Sequence, residues 1–176
     1  MNKMQSYKSH FTIAMILIFL MVFYITSFAD ESANPIKQMI YHTLYQVKNV
    51  VIKKSTSKDI EGMIKAARDA GGTGLKSNRY GSDKMGWSLE DSKGREVFVV
   101  IFSFLGGRAK EGDYLGPLMS LQNAKELHSF HENTLLEYFK RIDNNKYDLN
   151  DNCTASLRLF HGATGLGRTI ITVECH

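Results

Sequence analysis

The chain has 176 residues, of which 43% are apolar and 23% charged. That is the make-up of one ordinary globular domain, not of a disordered or fibrous chain. The net charge of +4 is unevenly placed: Lys3 and Lys8 are the only Lys or Arg residues before Asp30, so 20 basic and 18 acidic side chains follow position 29. That remainder is close to neutral and shows no basic stripe, which argues against nucleic acid as a partner.

Lys3, Lys8 and His10 form a positive start, with no acid before Asp30. Phe11 to Phe28 is an apolar run broken only by Thr12, Thr26 and Ser27, and Ser27 and Ala29 place small residues where a signal peptidase reads. The pattern predicts a signal peptide over 1–29, cleaved after Ala29, and one domain over 30–176 that is periplasmic or secreted. The alternative is a retained anchor, because such a run at about 1.5 Å per residue reaches roughly 27 Å, near the thickness of a bilayer core. A membrane is a partner only in that case. No Cys stands directly after the run, which argues against a bacterial lipid anchor.

Asn34-Pro35 pairs a capping residue with Pro at the first helical position. Ile36, Met39, Ile40, Leu44, Val47, Val50 and Val51 then share one face at helical spacing, which predicts a helix over 36–52. Ser55-Thr56-Ser57 breaks it and caps a second helix over 57–70, with Ile60, Met63, Ile64 and Ala67 as its apolar stripe and Gly71-Gly72 as its stop. Residues 71–84 are rich in Gly and polar side chains and are expected to be a loop. A hairpin over 85–104 follows, turning at Asp91-Ser-Lys-Gly94, and its second strand, Val97 to Phe104, is apolar enough to be buried on both faces. Residues 106–117 are expected to be loop, Ser120 to cap a third helix over 121–142, and 143–152 to be a polar loop.

Cys153 and Cys175 are the only cysteines, and in an exported chain an even count implies a disulfide. The segments Cys153–Phe160 and Arg168–Cys175 both alternate, with a Gly-rich stretch between them. Setting Cys153 opposite Cys175 places Ala155 opposite Val173, Leu157 opposite Ile171 and Leu159 opposite Thr169 on one face. A slip of one residue would scatter those aliphatics to both faces. The second hairpin is therefore expected over 153–175, with the bridge on its buried face. A metal held by these two thiols would need further Cys ligands that the chain lacks. The elements together predict an α+β fold: an antiparallel sheet of about four strands from two hairpins, with three helices packed on it and one disulfide.

Hints of chemistry are few. His128 and His131 fall within the apolar arc of the third helix, and at this spacing two imidazoles can share a metal ion, with His161 or His176 as a third ligand. The plainer reading is two partly buried histidines. Lys76 and Arg79 in the Gly-rich loop, with Tyr80 and Trp87 beside it, could form an anion or partner site, although a P-loop needs a strand before it and Gly directly before the Lys. A lone Trp on a strand is also an ordinary core residue. Gly162-Ala-Thr-Gly-Leu-Gly-Arg168 looks dinucleotide-like but opens no helix. No nucleophile elbow, zinc-protease motif or calcium loop occurs, and no cofactor is implied.

The leading expectation is an exported, non-enzymatic binding or accessory protein of the cell envelope, of the inhibitor or immunity-protein sort, acting on a protein partner. The layout also resembles that of membrane-anchored pilin-like subunits: an apolar N-terminal segment leading into a helix, then a sheet closed by a C-terminal disulfide. The resemblance is architectural. The small residue before a processed Phe and the Glu within the apolar run are both missing, since Phe11 follows His10 and no acid lies between residues 11 and 29. A metal-binding protein using the helix histidines is a third reading.

Overall fold

The first helix, α1 (Pro35–Ile52), begins where Asn34 accepts a hydrogen bond from the Ile36 amide through its side chain. A computed structural model describes residues 34–176, so the signal-peptide reading of 1–29 lies outside the described residues. Helix α2 (Ser57–Asp69) starts on a capping box in which Thr56 and Asp59 each satisfy the other's backbone amide. It ends at Gly71, whose φ of 92° is open to glycine without strain. Helix α3 (Leu121–Tyr138) is capped by Ser120.

The strands are β1 (Leu75–Arg79), β2 (Lys84–Glu90), β3 (Glu96–Leu105), β4 (Arg108–Leu115), β5 (Met119–Ser120), β6 (Lys140–Asp143), β7 (Lys146–Asp148), β8 (Cys153–His161) and β9 (Leu166–Cys175). They form one antiparallel sheet in the order β1-β2-β3-β4-β9-β8-β7-β6, with β5 pairing the start of β9. Among the described residues the α+β class and the three helices stand, but the sheet has nine strands, not about four. The segments 71–84, 106–117 and 143–152, expected to be loops, contribute β1, β4 and β7. The third helix stops at Tyr138 rather than 142, because Phe139 turns to extended backbone and leads into β6.

Strand β4 shows why it escapes a pattern search. Its sequence, Arg-Ala-Lys-Glu-Gly-Asp-Tyr-Leu, holds no β-branched residue, and its buried face is Ala109, Gly112 and Tyr114. The small residues make room for helices. A Cβ on Gly112 would stand 2.4 Å from Val47 Cγ1 of α1. One on Gly116 would stand 3.1 Å from Leu127 of α3, and one on Gly167 would stand 3.0 Å from Ala124. Helices α1 and α3 thus ride on the backbone of the two central strands. Helix α2 lies over β1 and β2 on the same side, packing Ile60 and Ile64 with Met85 and Trp87. One main core results, between the helices and this covered face of the sheet, while Val99 and Ser88 are buried on the opposite face.

The second hairpin has the expected register: Cys153 pairs Cys175, Ala155 pairs Val173, Leu157 pairs Ile171 and Leu159 pairs Thr169. Cys153 and Cys175 form the disulfide. The approach to Cys153 is unusual, with Asn150, Asp151 and Asn152 all left-handed at φ 62°, 55° and 58°. Asn and Asp tolerate that region better than other residues do. Lys48 of α1, only 5% exposed, holds the turn by donating to the Leu149 carbonyl at 2.7 Å and pairing with Asp151 at 2.7 Å.

Candidate functional site

Three regions bear on function, and the sequence nominated two of them. The first is the histidine pair of α3. His131 is 1% exposed and lies edge-on to Tyr114, with ring centroids 5.5 Å apart. Burial pushes its pKa down to about 4, with His128 adding a smaller push. His128 is also lowered by burial, against an opposing pull from Glu132. Both imidazoles are therefore neutral at pH 7, as core residues should be. His161 sits at the end of β8, exposed, opposite Gly167. The His176 amide is tied to the Asn152 carbonyl. Among the described residues no group of three or more His, Cys, Asp or Glu side chains comes together that could hold a metal. His128, His131 and His161 are not assembled into a centre.

The second region is the basic segment at 76–87. It is the β1–β2 hairpin, not a loop, and Lys76 and Arg79 are engaged. Lys76 pairs with Glu90 at 2.6 Å and Arg79 with Glu61 at 2.6 Å. Trp87 is 6% exposed and packs on Phe102 with centroids 5.4 Å apart, so it belongs to the core. Tyr80 is partly exposed, and Glu96 and Arg168 both act on its hydroxyl. A cleft of about 240 Å³ opens between the β1–β2 and β3–β4 turns, floored by Met85 and Phe104 and edged by Ser57, Arg79, Asp83 and Lys84. The first amides of α2 beside it are already served by the capping box, and Arg79 by Glu61. The structure does not join Lys76, Arg79, Tyr80 and Trp87 into an anion cradle.

The third region was not nominated by the sequence. Among the described residues all three helices lie on one side, so alternation leaves the other face of the sheet without a helix over it. In register across its middle run Val99, Leu115, Ile170 and Arg158, one from each of β3, β4, β9 and β8. The next row toward the disulfide holds Ile101, Asp113 and Thr172. Thr172 Oγ1 donates to Asp113 at 2.5 Å. Burial raises the Asp113 carboxyl above its usual range, and the Thr172 hydrogen bond, Arg158 and Lys84 oppose the rise. Beyond it Glu111 and Glu174 stand directly opposite each other, an unfavourable like-charge pairing. Toward the β8–β9 turn the face becomes apolar again. Phe160 pairs Arg168, and Leu166 pairs Ser120, on this side. Leu118 lies just before β5, whose Met119 pairs Gly167, and is exposed as well. These three are 48%, 39% and 53% exposed. Arg168 is held by Glu96 at 2.5 Å.

The comparisons with known proteins add no identity: no protein-family model matches the chain, and no curated protein or solved structure matches it. Among the described residues no helix is long and apolar enough to cross a membrane. The disulfide suits an oxidising compartment.

Proposed function

We propose that this chain is an exported, non-enzymatic binding protein of the cell envelope that acts on a protein partner through the helix-free face of its sheet. The observation that carries this reading is the half-buried pair Leu115 and Ile170, in register on that face beside the buried Val99. An antiparallel sheet with one face toward solvent normally alternates apolar inward and polar outward. Strand β3 breaks the rule by being apolar on both sides, with Phe98, Val100 and Phe102 toward the helices and Val99 and Ile101 away from them, while Val97 at the bulge packs against the core. Aliphatic rows beside charged ones, on a rigid sheet, are the composition of a recognition surface. The disulfide and the Lys48-held turn stiffen the same sheet and limit the ordering that binding would otherwise require.

The test is site-specific photo-crosslinking in cells that produce the whole chain. A photoreactive side chain at Ile170 or Thr172 is expected to give one discrete protein adduct, and one at Gln38 or Gln46 on the outer side of α1 none. Adducts from α1 alone, or turnover of ester, glycan or peptide substrates by the purified protein, would overturn the reading.

A further inference from the structure

The helix-free face is not uniform, and its two ends differ in charge and polarity. The end near the disulfide carries Glu111, Asp113 and Glu174 on adjacent strands. The end near the β8–β9 turn carries Leu118, Phe160 and Leu166, each well exposed, next to the half-buried Leu115 and Ile170. Contiguous exposed apolar side chains of this size on a soluble surface mark a contact site. Arg158 is the charge set among them: it is exposed, pairs across the strand with Ile170, and lies two residues from Phe160. Arg168 next to it is neutralised by Glu96, whereas Arg158 makes no ion pair among the described residues. An aromatic anchor, aliphatic neighbours and one free guanidinium form the residue set that dominates binding energy at protein interfaces.

Resting on the binding reading above, we infer that the Leu118–Phe160–Leu166 end of the open face is the docking site, and that its occupant is a protein segment presenting apolar side chains together with a carboxylate. The apolar groups fill the space over Phe160, Leu166 and Leu118, and the carboxylate takes the two parallel N–H donors of Arg158. A second copy of this chain is the poorer occupant. Two copies meeting on this patch by a two-fold axis bring Arg158 toward Arg158, and the nearest carboxylates, Asp113 and Glu96, are already engaged by Thr172 and Arg168.

The experiment uses the native protein and three short synthetic peptides: one alternating Leu and Phe with Asp and Glu, one with Lys replacing the acids, and one with Ser replacing the apolar residues. Binding is read by fluorescence anisotropy and located by amide chemical shifts. The acidic–apolar peptide is expected to bind at least about tenfold tighter than either of the others, with shifts centred on Leu118, Phe160, Leu166 and Ile170. Phe160→Ser and Leu118→Ser each weaken it by about tenfold or more while leaving the melting temperature near that of the parent, because both side chains are exposed. Arg158→Glu inverts the preference toward the Lys peptide. Equal affinity for the acidic and Lys peptides, binding by none of the three, or shifts centred on the Arg79–Lys84 cleft would each overturn the assignment. So would a protein mass that doubles with concentration and returns to monomer in Phe160→Ser, which makes a second copy the occupant. Crosslinks from Ile170 or Thr172 that survive Phe160→Ser leave the binding reading standing with this docking site lost; their absence from the parent protein removes the reading itself.

Discussion

Val47 of α1 rests directly on the backbone of Gly112 in β4. A methyl group at position 112 would stand 2.4 Å from Val47 Cγ1 and 2.9 Å from the Phe102 ring. Gly112→Ala therefore lifts α1 from the centre of the sheet and is expected to destabilise the fold by about 1–3 kcal/mol, the usual range for overpacking. Gly62→Ala is its control. Gly62 lies mid-helix in α2 with no atom near the added methyl, so that variant gains about 0.5–1 kcal/mol. Urea unfolding of the two variants, giving opposite signs from the same substitution type, checks the assignment.

Stability falls in acid because of His131. Its neutral form is favoured by the fold, since burial pushes its pKa from 6.5 down to about 4. The folded protein thus binds the proton less well than the unfolded chain. The stabilisation is fully present above pH 6.5 and is lost as pH falls toward 4. At about 1.36 kcal/mol per unit, the loss approaches about 3 kcal/mol. Denaturation midpoints of the parent and of His131→Leu between pH 7.5 and pH 4 are expected to diverge, with the parent falling more steeply. Parallel curves would show that other groups carry the acid sensitivity.

Lys48 stabilises the left-handed turn before Cys153. Lys48→Met leaves the Leu149 carbonyl without its donor and Asp151 without its cation. A loss of about 1–3 kcal/mol is expected. Asp151→Asn costs less, because that carboxylate is largely solvent-exposed. Faster amide exchange at Asn150, Asp151 and Asn152 in Lys48→Met, with exchange in α2 unchanged, places the effect at the turn.

The bridge between Cys153 and Cys175 spans a sequence separation of 22 residues. The loop-entropy model gives about 3 kcal/mol for a closure of this length. The Cys153→Ser, Cys175→Ser double variant is expected to keep the hairpin register, because Ala155–Val173 and Leu157–Ile171 still select it, while its thermal midpoint drops. Altered pairing of β8 with β9, read by cross-strand nuclear Overhauser effects, would show that the bridge and not the aliphatic pattern sets the register.

The functional surface was the least legible feature. His128, His131, Lys76 and Arg79 stand out in a sequence because their side chains carry chemistry, yet burial and ion pairs absorb most of it. Leu118, Phe160 and Leu166 are apolar residues of the kind that fills any core. The signal that could have found Phe160 was the disulfide hairpin itself. Its register already assigned Phe160 and Ile170 to the face away from the bridge, and one further step would have asked why that face is apolar.

Local chemistry alone determined the Asn34 cap and the Pro35 start, the Thr56 cap, the turn at Asp91–Gly94, and the complete pairing of β8 with β9. Each rests on neighbours close in sequence, where hydrophobic period and turn residues act within one element or one hairpin. Only the tertiary structure decided that β4 lies beside β9, that Gly112, Gly116 and Gly167 form the bed for two helices, and that all three helices share one face. Those pairings join segments about 60 residues apart, and their energy comes from burial that exists only once the chain has closed on itself. Which face of the sheet these helices cover follows from that closure.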